Sequence, residues 1–289
     1  MGKYSFLASL IAVVLVEYAV LIACFGFTFR NIESVFEHKE FNIVARSRYG
    51  KRGNCALLVA RLLFCGWFSV TTLYKYSSND PNLSSGWHYY TNWNLILISI
   101  YFMLASFISS FDAFRNYDDT FSASIPALRR VSLFVGIVYP VICSTAIMVT
   151  VLNFTLLDSN LGFWDITSHL TQSISLIFVE MPLSKALIKP HDVWVVITWP
   201  LIYLIFIWPI VATDVREWPY FFLETNRPTC FIWYTALLLF SILFFALTCM
   251  IHLAYEEIAK CLQKKTVVVI YPDPTKEPYD TDIPDSIEL

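Results

Sequence analysis

The sequence predicts an all-α protein, a polytopic transmembrane helix bundle of about seven helices. Of its 289 residues, 57% are hydrophobic and only 15% are charged, whereas a soluble domain is roughly 45–50% apolar and about 25% charged. Seven runs are also long and apolar enough to cross a bilayer, which takes about 20 residues. The net charge of −3 is small and no basic face stands out. These features indicate the lipid bilayer as partner and give no sign of nucleic-acid binding.

The seven predicted spans set the domain organisation. They are approximately Tyr4–Thr28, Cys55–Tyr74, Thr91–Phe111, Val131–Leu157, His169–Ile188, Val193–Thr213 and Cys230–Leu253. The first run is longer than the apolar stretch of a signal peptide and lacks a small-x-small cleavage site, so we interpret it as a helix. The organisation is then an N-terminal helix with a basic cytoplasmic loop over 1–54, a six-helix membrane core over 55–262, and a disordered acidic, proline-rich cytoplasmic tail over 263–289.

The distribution of lysine and arginine predicts the orientation in the membrane. If the C-terminus is cytoplasmic, the inner segments hold 15 basic residues and the outer segments hold four, with Arg61 inside a span. Cytoplasmic loops carry such an excess of positive charge. We therefore expect an N-terminus outside or in the lumen and a cytoplasmic C-terminus, in the endoplasmic reticulum or the plasma membrane.

Thr91 and His169 are the candidate catalytic residues, because each begins a predicted span on the outer face. A threonine hydroxyl is a weak nucleophile until a base takes its proton, and histidine titrates in a suitable range. Asp165, one turn before His169, is placed to orient its ring. His88 is a rival base. The alternative interpretation is that Thr91 merely caps a helix.

Polar neighbours and aromatic residues near this level are candidates for substrate contacts. The amides of Asn92 and Asn94 are possible oxyanion donors. The outer loop contains an aromatic segment in which Trp218 and Tyr220 are candidate substrate contacts. That segment is either an interfacial anchor or a lid over an acyl-chain pocket. The five histidines show no metal-ligand spacing, so no metal and no cofactor is expected.

Three ionisable residues lie inside apolar runs, namely Glu17, Arg61 and Glu180. Such residues are costly in a bilayer and are paired or functional by default. Glu180 follows His169 by eleven residues, which on a regular α-helix puts it about 20° from the same face and ~16 Å further along. We interpret it either as functional or as a paired or snorkelling carboxylate near the inner interface. Isolation alone suggests that Glu17 and Arg61 form a pair.

Three short stretches, in this order and at these intervals, resemble a known family. They are residues 87–94 (Trp-His-Tyr-Tyr-Thr-Asn-Trp-Asn) followed by Ile-Tyr-Phe at 100–102, then His169 leading to Val-Glu-Met at 179–181, and then residues 216–224. Over residues 55–262 the chain resembles the family of Rolling stone and the androgen-induced and androgen-dependent TFPI-regulating proteins. Some members are membrane threonine hydrolases of fatty acid esters of hydroxy fatty acids. The resemblance implies Thr91 as nucleophile and His169 as base, with a membrane lipid ester as substrate.

Two departures from the family pattern leave alternatives open. The family histidine lies ten residues before the glutamate, whereas His169 lies eleven before Glu180, so a gapless match would put Leu170 at the catalytic position. The hydrolases also have six helices. Rolling stone is associated with myoblast fusion, so a non-catalytic role in fusion, adhesion or scaffolding is the main alternative. A seven-helix receptor is disfavoured, because the sequence lacks Asp-Arg-Tyr after the third span and Asn-Pro-x-x-Tyr in the seventh.

Overall fold

The computed structural model describes residues 44–77, 88–114, 126–156, 166–212, 218–224 and 229–270. Five long helices carry these ranges: α1 (Gly50–Ser77), α2 (Tyr90–Phe114), α3 (Pro126–Leu156), α4 (Val193–Ala212) and α5 (Cys230–Ile270). An interrupted helix over 166–183 lies between α3 and α4. The first predicted span, with Glu17, falls outside the described residues, as do Asp165 and most of the predicted tail.

All five long helices are long and apolar enough to cross a membrane. The candidate spans are Gly50–Lys75, Tyr90–Ala113, Ala127–Leu156, Pro190–Val211 and Cys230–Leu262. Because backbone groups in hydrocarbon must be satisfied within the chain, a bundle of such helices is the expected architecture of a membrane protein. The prediction of a helical bundle with membrane-length apolar helices is therefore confirmed, whereas the total of seven stays a prediction.

The centre of the bundle contains fully buried aromatic residues from α1, α2 and α3. Tyr101 of α2 stacks on Tyr139 of α3 with ring centroids 5.8 Å apart. Phe68 of α1 stacks on Phe102 at 5.6 Å. The outer surfaces are apolar as well, as Leu63 of α1 and Leu243 of α5 illustrate with 68% and 59% of their surface exposed. An apolar exterior around a packed interior is what a lipid-facing bundle requires.

The helix over 166–183 is unusual because most of its turns are π-helical. Two π segments, Ile166–Leu170 and Ile174–Glu180, alternate with single α-helical turns, Thr171–Ser173 and Met181–Leu183. We call this element the π-rich helix. Long π-helical stretches are rare, and those known often lie at functional sites. Since a π turn closes from residue i to i+5, the spacing of 100° per residue assumed for His169 and Glu180 does not hold in this helix.

The π-rich helix ends at Leu183, so the predicted span to Ile188 is too long. Ser184 is already extended, with ψ of 145°. Its neighbours pair with the chain before α1: the amide of Arg48 donates to the carbonyl of Leu183, and that of Lys185 donates to the carbonyl of Arg46, at 2.9 and 3.0 Å. The backbone groups that a longer helix would use internally are thus satisfied by this pairing.

The segment over 44–49 packs into the bundle and positions the start of α1. Val44 and Ala45 are buried in the main core. Asn54 accepts a hydrogen bond from the Ser47 amide at 2.7 Å. Gly53 is required here because a Cβ at this position would lie 2.5 Å from the Ser47 hydroxyl oxygen.

Candidate functional site

An apolar cavity of about 150 Å³ lies at the end of the bundle where α2 begins and α3 ends. Its walls come from α2, α3, α4, α5 and the segment over 218–224, and most of the lining side chains are leucine, valine, phenylalanine or tyrosine. A volume of roughly this size holds a benzene-sized molecule in other proteins. A whole acyl chain does not fit, so a lipid would have to extend out of the cavity.

The cavity opens on the exterior surface of the helix bundle, beside α5. Phe231 lines the cavity while 61% of its surface is exposed. Thr235, one turn further along α5, is also both lining and exposed. Across from them stand Pro200 and Leu204 of α4. Both α4 and α5 are among the candidate spans, so lipids of a bilayer around the bundle would contact this opening.

Thr91, in the first turn of α2, lines the cavity next to Tyr220. Burial raises the pKa of Tyr220 to about 12, and the hydrogen bond with the Thr91 hydroxyl acts in the opposite direction. Tyr220 is held by aromatic contacts to Tyr89, with centroids 5.7 Å apart, and to Phe222, at 5.0 Å. The Thr91 hydroxyl is therefore presented to an apolar space with a protonated phenol beside it.

The segment over 218–224 forms one wall of this cavity. Tyr220, Phe222 and Leu223 line it, and the carbonyl of Leu223 accepts a hydrogen bond from the Tyr234 hydroxyl of α5 at 3.0 Å. Trp218 is half-buried and packs at the edge of the same aromatic cluster. The segment is thus a wall of the cavity, and its role as a lid or as an interfacial anchor stays a prediction.

His169 lies at the same end of the bundle but is not part of the cavity lining. Its carbonyl accepts a hydrogen bond from the Thr150 hydroxyl of α3 at 2.6 Å. The ring is buried and lies within electrostatic range of Lys75, and its Nδ1 has no hydrogen-bond partner within the described ranges. No hydrogen bond joins Thr91 and His169 in that part of the chain. Leu170, the alternative in a gapless match, has 37% of its surface exposed.

The two predicted oxyanion donors, Asn92 and Asn94, are buried but do not line the cavity. The side-chain oxygen of Asn94 accepts a hydrogen bond from the Trp199 indole at 2.8 Å. The rival base His88 is also buried, and its carbonyl accepts a hydrogen bond from the Tyr203 hydroxyl at 2.7 Å. These contacts tie α2 to α4 and thereby position the first turn of α2.

Asn153 of α3 is a cavity residue that the sequence reasoning missed. It lines the cavity with only 5% of its surface exposed, and its Nδ2 has no hydrogen-bond partner among the described residues. A signal was present in the sequence, since Asn153 is an amide within the apolar run Val131–Leu157. Asn92 and Asn94 adjoin Thr91 in the sequence, whereas Asn153 reaches the same cavity only through the packing of α3 in the bundle.

Arg61 and Glu180 form a second site at the other end of the bundle. Arg61 pairs with Glu180, to which its Nε donates at 3.0 Å. The partner predicted for it, Glu17, lies outside the described residues. Both side chains are fully buried. The Tyr101 hydroxyl donates to the same carboxylate at 2.8 Å. Glu180 is thus a paired carboxylate, not a snorkelling one.

The Arg61 guanidinium is satisfied on every side. Its Nη1 donates to the carbonyl of Val44 at 3.0 Å and to the Ser109 hydroxyl at 2.6 Å, and its Nη2 donates to the Ser184 hydroxyl at 3.3 Å. A single side chain therefore links α1, α2, the π-rich helix and the segment over 44–49. Because removing any one partner would leave a buried charge uncompensated, these bonds fix the relative positions of the elements they join.

No protein-family model matches the chain, and no curated protein or solved structure matches it. The resemblance of its sequence motifs to the Rolling stone family stays a prediction.

Proposed function

We propose that this membrane protein hydrolyses esters of amphiphilic lipids, with Thr91 as nucleophile and His169 as general base. The observation that carries the proposal is the position of the Thr91 hydroxyl in the wall of an apolar cavity. Sites for small amphiphiles are concave and mostly apolar, with a few polar groups that face the ligand. By the sequence resemblance, the ester is one between a fatty acid and a hydroxy fatty acid.

The opening beside α5 supports a substrate that arrives from the bilayer. Since the cavity of about 150 Å³ holds only part of an acyl chain, the remainder would extend between α4 and α5 into the surrounding lipid. The ester group would then lie inside, at the level of Thr91. A soluble substrate would gain nothing from an opening flanked by exposed Phe231.

The winding of the π-rich helix supports His169 rather than Leu170 as the base. A π turn accommodates one more residue than an α turn, so it absorbs the extra residue between His169 and Glu180 relative to the family pattern. In this register His169 is buried at the cavity end of the bundle and Leu170 faces outward. The glutamate remains in the core beside Arg61.

In the proposed reaction the Thr91 oxygen attacks the ester carbonyl carbon while His169 takes the hydroxyl proton. The carbon–oxygen bond of the ester then breaks, and His169 returns the proton to the leaving alcohol. Water attacks the acyl-threonine, gives its proton to His169, and releases the fatty acid as Thr91 regains its hydrogen. This scheme requires the His169 ring to approach Thr91, as catalytic hydrogen bonds often tighten only with substrate bound.

The test is labelling of the purified protein by a fluorophosphonate probe together with hydrolysis of a fatty acid ester of a hydroxy fatty acid. Thr91→Ala is expected to abolish both, and His169→Asn to reduce both by at least about 100-fold. Thr155→Ala is the matched control, because this exposed threonine bonds only to the carbonyl of Val151 one turn earlier in α3. Full activity of Thr91→Ala would refute the proposal.

A non-catalytic role is the second candidate function, and one observation favours it. Thr91 lies beside Tyr220, and no hydrogen bond connects its hydroxyl to His169 in the described residues. Under this alternative, Thr91→Ala and His169→Asn would leave the cellular function intact, whereas replacing residues 218–224 would abolish it. The two sets of variants separate the candidates.

A further inference from the structure

We infer that Asn153 is the polar contact of a lipid-binding site in the cavity, where its Nδ2 donates a hydrogen bond to the carbonyl oxygen of a bound fatty ester. The inference rests on the proposed function only for the choice of an ester as the polar group. Binding itself requires no reaction at Thr91.

The position of Asn153 supports this role. It lies one turn after Val149 on α3, and residues four apart share a helix face, so both side chains face the cavity. Buried amide groups nearly always have hydrogen-bond partners, yet Nδ2 of Asn153 has none within the described ranges. Other buried groups of the described residues also lack a partner, but Asn153 lines the cavity, so its unused donor is placed to meet an acceptor that a ligand supplies.

The chemistry of the cavity indicates what carries that acceptor. Apolar walls and the opening beside Phe231 favour a hydrocarbon chain. An amide N–H selects a neutral or anionic oxygen, and a carbonyl oxygen is the acceptor that a fatty ester offers. Thr91 and Asn153 line the same small cavity, so an ester bound by Asn153 would be held near the threonine hydroxyl.

The experiment measures binding in the full chain carrying Thr91→Ala, so that nothing is hydrolysed. A fatty acid methyl ester with a diazirine in its chain is photocrosslinked to the protein in lipid nanodiscs. Methyl oleate and the oxygen-free hydrocarbon heptadecene then compete for the site. We expect crosslinks at α3 and α5 residues of the cavity, with methyl oleate competing about tenfold better than heptadecene, as one hydrogen bond from a buried donor allows.

Asn153→Leu is expected to abolish the difference between the two competitors. Asn153→Ala, which adds no bulk, is measured beside it so that one unfolded variant does not decide the outcome. Ser144→Ala on the same helix is the control, because the Ser144 hydroxyl bonds to the carbonyl of Pro140 and does not line the cavity. A preference for methyl oleate that survives both Asn153 variants would overturn the inference, as would crosslinks confined to other surfaces.

The result is distinguishable from that of the hydrolysis test. If Asn153 governs ester binding while Thr91→Ala has no effect on activity, the lipid site stands and the proposed chemistry falls. If Thr91→Ala abolishes hydrolysis while the ester preference is insensitive to Asn153, the reverse holds.

Discussion

Breaking the buried pair between Arg61 and Glu180 tests how much of the bundle's stability depends on it. Glu180→Gln preserves the shape of the side chain but leaves the guanidinium without its counter-charge, in a position with no exposed surface. Removing one partner of such a pair costs about 3–5 kcal/mol. Arg61→Met should cost a similar amount, because it strands the carboxylate and also leaves the Ser109 and Val44 acceptors without their donor.

The double variant measures the interaction between Arg61 and Glu180 apart from the contacts that each makes with other residues. Replacing a buried ion pair by uncharged groups is often close to neutral. The loss of free energy of unfolding in Arg61→Met/Glu180→Gln should therefore be smaller than the sum of the two single losses by at least about 2 kcal/mol. The assay is equilibrium unfolding by sodium dodecyl sulfate in mixed micelles. In a second double-mutant cycle, the effects of Arg61→Met and Glu17→Gln on the free energy of unfolding should be additive, because Arg61 is already bonded to Glu180. Additivity of the Arg61 and Glu180 effects within about 0.5 kcal/mol would refute the reasoning.

Two further predictions concern the start of α1 and the cavity wall. Gly53→Ala puts a Cβ within 2.5 Å of the Ser47 oxygen and 2.8 Å of the Tyr49 Cβ, so it should lower the free energy of unfolding by about 1–3 kcal/mol. Gly66→Ala, whose Cβ would have no atom within 4 Å, should raise the free energy of unfolding by about 0.5–1 kcal/mol. Equal effects of the two substitutions would contradict this account. Burial raises the pKa of Tyr220 from 10.0 to about 12. A raised pKa stabilises the fold below pH 10, and this contribution is lost as the pH rises through 12. Tyr220→Phe should flatten the fall in stability over that interval, and an unchanged pH profile would count against a buried phenol.

The helices were predictable from sequence because their cause is local. Apolar runs of membrane length recur with polar breaks, and four of the predicted spans agree with α1 to α4 to within a few residues. A fifth begins with α5 at Cys230, but the helix continues beyond the predicted end, to Ile270. The end of the π-rich helix was not predictable in this way. Ser184 leaves the helix because its neighbours pair with Arg46 and Arg48, about 136 residues earlier in the chain, and no local pattern encodes that contact.

The distinction between local and long-range causes applies to the buried charged residues as well. That Arg61 and Glu180 needed partners followed from the cost of a charge among apolar residues. Their mutual pairing depends on how α1 packs against the π-rich helix, and the sequence separation of 119 residues gave no hint of it. The candidate pair Thr91 and His169 was proposed from depth in the membrane, which does not specify the direction in which each side chain points.

The Arg61 guanidinium and the side-chain amide of Asn153 differ in how completely their hydrogen-bond donors are satisfied. The Arg61 guanidinium has an acceptor for each of its nitrogens, whereas Nδ2 of Asn153, which lines the cavity, has no partner within the described ranges. An unmade hydrogen bond on a buried group costs about 1–3 kcal/mol, and proteins accept such costs where a ligand will supply the partner.

The same substitution at two asparagines should therefore have different effects on stability. Asn153→Leu removes the unpartnered donor and should raise the free energy of unfolding by about 1–2 kcal/mol without added lipid. Nδ2 of Asn94 is also unpartnered, but Asn94→Leu in addition leaves the Trp199 indole without its acceptor, so its free energy of unfolding should lie about 1–3 kcal/mol below that of Asn153→Leu. Delipidated protein unfolded by sodium dodecyl sulfate gives both values. A loss of stability in Asn153→Leu as large as that in Asn94→Leu would mean that Asn153 serves the fold rather than a ligand.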